Sequence, residues 1–232
     1  MGIVVNDSQN LFMLQTRSNS YAFGIDNQGL VRHLYWGSRI NAMEDFEMPE
    51  LAEVSTNDPV YEITKEEFPV YGGLRYKEHC LKVTFADGTR DVAYEYVNYE
   101  IQKNEQCEEL VIILKDKHYA LVMELHYKIY EAYDLMERFV VLKNESTEVM
   151  QIEKLHSGQF HVPYEGLNFR NVHGHWGAEQ QKFVQKVDYG KIIFENRRGI
   201  SSHNHNPYFI LDQDATETTG NVYFGALRMT GN

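Results

Sequence analysis

The sequence predicts an all-β fold of the sandwich type, and three observations carry that prediction. Short segments that mix β-branched and aromatic side chains with polar ones, such as Tyr94–Ile101, recur along a chain with 16 Tyr, 12 Phe and only five Pro. Leu121, Met123, Leu125, Tyr127 and Ile129 alternate with more polar neighbours, the period of a half-buried strand. No stretch carries a sustained helical period, so a dozen or more strands joined by turns is the expectation.

Taken in order, a polar N-terminal stretch precedes a hairpin whose strands, Tyr21–Ile25 and Leu30–Trp36, flank the turn Asp26-Asn27-Gln28-Gly29. Asn41 to Phe68 is acidic and aperiodic, and it reads as an extended excursion kept for function or for an interface. Pro69–Tyr76 leads into a strand over His79–Phe85. Asp87-Gly88 is the strongest hairpin signal in the chain, with the partner strand running to Ile101. Leu110–Leu114 and Tyr119–Tyr130 pair across the turn at 115–118, and Leu135–Leu142 follows, closed by Lys143-Asn144-Glu145-Ser146. Val149–Leu155, Phe160–Val162, Val184–Val187, Lys191–Glu195, Tyr208–Leu211 and Val222–Met229 complete the expected strands.

At 232 residues the chain is read as one large domain, 1–232, able to bury a core without disulfide staples. The 22 basic against 34 acidic residues leave a formal charge of −12, which repels phosphate backbones and anionic membrane surfaces and argues against nucleic acid as a partner. Only two cysteines occur, Cys80 and Cys107, and no basic stretch followed by an apolar run opens the chain; together these predict a cytoplasmic setting. No apolar stretch reaches bilayer-spanning length, so no membrane partner is expected.

The densest polar cluster is Arg197-Arg198-Gly199-Ile200-Ser201-Ser202-His203-Asn204-His205-Asn206-Pro207. His203 and His205, with His173 or His175 as a third ligand, have a metal-like spacing. A cupin-type site would need a glutamate soon after the pair, and none occurs there, so the histidines are read as structural and no metal or cofactor is assigned. Ser201 and Ser202 lack the Gly-x-Ser-x-Gly elbow of a nucleophilic serine. Cys80 and Cys107 lack a CxxC arrangement. Trp36 and Trp176, each followed by glycine, suit either a sugar platform or core packing.

The stretch Arg198 to Pro207 resembles the Arg-Gly-x-Ser-Ser-His-x-His-Asn-Pro signature in the N-terminal domain of bacterial α-galactosidases of glycoside hydrolase family 36. Leu34–Ile40, Pro69–Gly72 with Arg75, His173-Gly174-His175-Trp176, Gly220–Tyr223 and Thr230-Gly231-Asn232 agree in the same order, so the resemblance covers nearly the whole chain.

The resemblance implies a β-supersandwich similar to galactose mutarotase, placed ahead of a catalytic (β/α)₈ barrel. In that family the barrel supplies an aspartate nucleophile in a Lys-Trp-Asp motif and an aspartate acid/base for retaining hydrolysis of terminal α-galactosides such as melibiose and raffinose. Neither tryptophan of this chain is followed by Asp, so the catalytic residues are expected in a barrel absent from it, within a larger α-galactosidase. The resemblance further implies a tetramer in which the Asn41–Arg75 excursion closes the active-site mouth of a neighbouring subunit, with Arg75 as a substrate-side cation. Trp36, Trp176, Arg198, Gly199, Ser201, Ser202, His203, His205, Asn206 and Pro207 then count as a structural signature rather than as catalytic residues. The alternative reading is a stand-alone carbohydrate-binding or mutarotase-like β-sandwich.

Overall fold

The computed structural model describes residues 2–48, 65–73, 77–163, 166–195 and 204–228, and its contacts group the chain into two compact units, Met1–His161 and Val162–Asn232. All regular structure among the described residues is β, apart from one 3₁₀ turn at Glu131–Tyr133.

The first unit opens with an antiparallel meander of β1 (Ile3–Asn6), β2 (Leu11–Gln15), β3 (Asn19–Ile25) and β4 (Val31–Ser38). A second meander is built from β6 (Tyr94–Lys103), β7 (Glu108–Asp116), β8 (Leu121–Tyr130) and β9 (Leu135–Asn144), while β5 (Leu81–Thr84) pairs with β10 (Gln151–Leu155). The two meanders face each other across one core. Phe12, Leu14, Tyr21 and Phe23 enter it from the first sheet and Leu110, Ile112, Leu114, Met123, Leu125 and Tyr127 from the second. Phe23 stacks on Tyr127 with centroids 4.7 Å apart, and Phe12 meets Tyr99 edge-on at 5.2 Å. The alternation expected over Leu121–Ile129 is the alternation found, with all five odd-numbered residues buried. Each such side chain contributes on the order of 2 kcal/mol by leaving water.

Two strands, β1 and β2, occupy the stretch read as a polar start. β2 escapes a period-two reading because all five of its residues are buried. Phe12 and Leu14 face the core, whereas Leu11 and Met13, with Ala22, are covered on the sheet's outer side by Met43, Ile40, Phe46 and Met48. The near limb of the 41–68 excursion is thus packed chain; 49–64 lie outside the described residues.

The Asp87-Gly88 turn forms, with the Gly88 N–H donating to Phe85 O at 2.9 Å, yet it does not join a hairpin. Beyond it the chain leaves β5: the Val92 N–H donates to Tyr71 O at 3.0 Å and the Ala93 N–H to the buried Asp116 carboxylate at 2.8 Å. β6 therefore pairs with β7 in the opposite sheet.

The second unit is a four-stranded antiparallel sheet in the order β12-β11-β13-β14, from β11 (Asn168–His175), β12 (Ala178–Lys186), β13 (Tyr208–Asp212) and β14 (Val222–Ala226). β11 was not anticipated, since Asn-Phe-Arg-Asn-Val-His-Gly-His carries no clean alternation. The expected strand Val184–Val187 is the end of the longer β12, whereas Lys191–Glu195 and Phe160–Val162 are irregular. Phe194 instead packs on Phe169 at 5.3 Å, covering one face of the sheet.

Candidate functional site

Among the described residues two polar groups bear on function, one fully buried and one at the more exposed end of the polar loop. The first lies in the first unit. Glu67, fully buried, sits on a non-strand segment held to β4 through backbone bonds from His33 N–H to Lys65 O (2.7 Å) and from Glu67 N–H to Val31 O (2.9 Å). Its carboxylate accepts the Tyr21 hydroxyl (2.7 Å), the Tyr127 hydroxyl (3.0 Å) and His33 Nδ1 (2.9 Å), and it pairs with Arg138 Nη1 at 2.8 Å. Strand alternation aims the two tyrosines inward from β3 and β8, and Arg138 reaches in from β9. The Arg138 guanidinium lies over the Tyr127 and Phe160 rings at 5.0 and 5.4 Å and donates to Glu67 O and Gln159 O.

Burial pushes the Glu67 carboxyl up, but the Arg138 charge and the His33 and Tyr21 hydrogen bonds outweigh it and hold the group at about 2. Burial, followed by the Glu67 charge, raises the Tyr21 hydroxyl well above its ordinary value. Glu67 is therefore a fixed anion rather than a proton shuttle, and its full burial withholds it from a substrate. Beside it, Glu66 lies 3.4 Å from Arg32, whose Nε pairs with Asp26 at 2.7 Å, all three buried. Cys80, its thiol pushed up to about 11 by burial, is not a nucleophile at neutral pH.

The second group is the end of the polar loop. Arg198, Gly199, Ser201, Ser202 and His203 lie outside the described residues, as does Arg75. His205 packs edge-on against Phe194 at 4.7 Å, with His173 at 6.4 Å. Asn206 donates its side-chain amide to Val172 O at 2.8 Å and accepts Asn171 Nδ2 at 3.1 Å, and Pro207 O accepts the Leu227 N–H at 2.7 Å. These bonds tie β11, β13 and the end of β14 together. Among the described residues no three His, Cys, Asp or Glu side chains converge as a metal ligand set.

The two tryptophans part company. Trp36 packs against the core, 6.2 Å from Tyr21 and 5.5 Å from Phe160. Trp176 is 90% exposed at the β11–β12 turn, beside Gly177 at φ +79°. A concavity of about 190 Å³ beside the stacked Phe85 and Tyr119 is smaller than the roughly 300 Å³ at which ligand pockets begin.

With this geometry in view, comparison with known proteins is decisive on family. The profile of the glycosyl hydrolase family 36 N-terminal domain matches residues 29–232. The chain belongs to that family. Among relatives, it is 27% identical to a probable alpha-galactosidase G of Aspergillus terreus over 95% of this chain and 32% of that protein. It is 25% identical to the bifunctional alpha-galactosidase/sucrose kinase AgaSK of Mediterraneibacter gnavus over 100% of this chain and 27% of the relative. The family 36 N-terminal chain thus spans about a third or less of the length of these relatives. In fold it superposes on the family 36 alpha-galactosidase AgaB of Geobacillus stearothermophilus with a TM-score of 0.85 at 23% identity, covering 97% of this chain and 34% of the other. An alpha-galactosidase from Lactobacillus brevis gives 0.81 at 24% identity, covering 92% and 32%. The all-β supersandwich class expected of the family 36 N-terminal domain is the class observed.

The buried Glu67 cluster was not foreseen from the sequence. Its one trace there is the doublet Glu66-Glu67 set directly against Phe68-Pro69-Val70, charge where an apolar run begins.

Proposed function

We propose that this chain is the non-catalytic N-terminal domain of a cytoplasmic α-galactosidase, with structural, oligomerisation and active-site-closing roles in the whole enzyme. The observation that carries the reading is the family match over residues 29–232, joined to the short span of the chain relative to proteins named alpha-galactosidases. A match crossing both compact units supports treating them as one functional domain. The free state of Cys80 and Cys107 accords with a reducing compartment.

On this reading the two carboxylates of retaining hydrolysis belong to a barrel outside this chain, and the enzyme acts on terminal α-galactosides such as melibiose and raffinose as a homo-oligomer. The acid best placed to imitate a catalytic carboxylate, Glu67, is fully buried and fixed as an anion, which supports a structural part for it.

Purified chain, free of host enzyme, is expected to leave a chromogenic α-galactoside intact, and measurable turnover would overturn the reading. The exposed indole of Trp176 favours one rival, a stand-alone sugar-binding sandwich. Titration with galactose and melibiose separates the two: saturable binding at millimolar concentration or below favours the sugar-binding module, and silence favours the structural domain.

A further inference from the structure

We propose that Tyr21, His33, Tyr127 and Arg138 form a carboxylate socket inside the first unit, that the Glu67 side chain is its built-in ligand, and that the emptied socket takes up a free small carboxylate.

The donors and the acceptor come from different kinds of chain. Tyr21, His33, Tyr127 and Arg138 stand on β3, β4, β8 and β9, and each of those strands is paired along its length within a sheet. Glu67 stands on a strap, residues 65–70, that belongs to no strand and reaches the sheets through single bridges, Arg32 with Glu66 and Val70 with Leu81. The strap packs against the sheets with Phe68 and Val70 fully buried as its apolar anchors and Glu67 as its charged one.

The socket is specific for a carboxylate. Both Glu67 oxygens are within reach of the Tyr21 hydroxyl, at 2.7 and 2.9 Å. One is met in addition by His33 Nδ1 at 2.9 Å, and the other by the Tyr127 hydroxyl at 3.0 Å and Arg138 Nη1 at 2.8 Å. A flat anion with two oxygens satisfies this set, whereas a chloride ion satisfies only part of it. The Arg138 side chain is 2% exposed, so without an anion beside it a guanidinium would remain buried and uncompensated. Truncation of Glu67 at Cβ removes a methylene and a carboxylate, the heavy atoms of acetate. Acetate therefore matches the vacated space and formate fits with room to spare. Because Glu67 is fully buried, entry requires local opening of the strap.

The test uses the 232-residue chain and its Glu67→Ala and Glu67→Gln variants. Glu67→Ala is expected to lower the thermal midpoint by about 10 °C or more relative to the parent in chloride. Acetate or formate at about 100 mM, against chloride at equal ionic strength, is expected to restore several degrees to Glu67→Ala alone. The parent has its own carboxylate in place, and in Glu67→Gln the amide fills the space, so neither should respond. The proposal fails if Glu67→Ala melts with the parent, if acetate and formate do no more than chloride, or if all three proteins respond alike. Should Glu67→Ala not fold in chloride, its refolding yield becomes the readout: a higher yield in acetate supports the socket, and equal yields in acetate and chloride overturn it.

Discussion

A carboxylate taken out of water costs several kcal/mol unless charge and hydrogen bonds replace its hydration, and Glu67 meets that requirement through Arg138, His33, Tyr21 and Tyr127 together. Its folded-state value of about 2 lies below the ordinary 4.5, so folding favours the charged form. The contribution to stability is therefore complete above about pH 4.5 and is lost as the pH falls through that range towards 2. Urea midpoints of the parent should decline across this window more steeply than those of Glu67→Gln; parallel declines would show that Glu67 has no such linkage. An apolar counterpart is Leu125, fully buried between the sheets. Leu125→Ala should cost about 3 kcal/mol in urea unfolding, the usual loss for a leucine whose cavity does not collapse. Residue-scale reading of the sequence succeeds for Leu125, whose neighbours announce its inward face, and misses Glu67, whose partners lie 34 to 71 positions away.

At the scale of elements, regular alternation made β8 legible, and burial on both faces hid β2. The Asp87-Gly88 turn shows how a local signal can be right about the turn and wrong about its consequence. Gly88 adopts φ +86° as expected, yet the hydrogen bonds that follow belong to Tyr71 and Asp116, and they carry the chain to another sheet. Gly174, in the resembling segment His173-Gly174-His175-Trp176, has a steric reason to be glycine. A Cβ there would come within 2.5 Å of Ala178 O and 2.8 Å of Glu179 Cα on the neighbouring strand. Gly174→Ala should force β11 and β12 apart at their bulge, at a cost of about 1–3 kcal/mol. The expected readout is faster amide exchange over 168–186 with unchanged exchange in β7 and β8; unchanged exchange in both would refute the steric argument.

For the whole molecule, the functional reading rests on what this domain adds to a larger enzyme. The family resemblance implies a substrate-side place for Arg75, and replacing it tests the proposed closing role directly. In the full-length enzyme Arg75→Ala should raise KM or lower kcat about tenfold, the scale of one charge-assisted hydrogen bond lost. Unchanged constants would remove Arg75 from the active-site mouth and leave the family assignment untouched. Light scattering of the full-length protein tests the oligomer reading: a tetramer is expected, and a monomer at micromolar concentration would overturn it.

The sequence by itself determined the all-β class, which side chains of β8 face inward and, through several ordered motifs, the family, because these depend on local periodicity and on side chains met one after another along the chain. Only the tertiary structure decided that Trp36 packs against a core while Trp176 stands in solvent, that Asp87-Gly88 turns the chain towards another sheet, and that Glu67 is a buried anion among two tyrosines, a histidine and an arginine. The physical reason is the same in each case. Burial, strand pairing and electrostatic compensation are properties of residues brought together from distant positions, and no local pattern records which ones will meet.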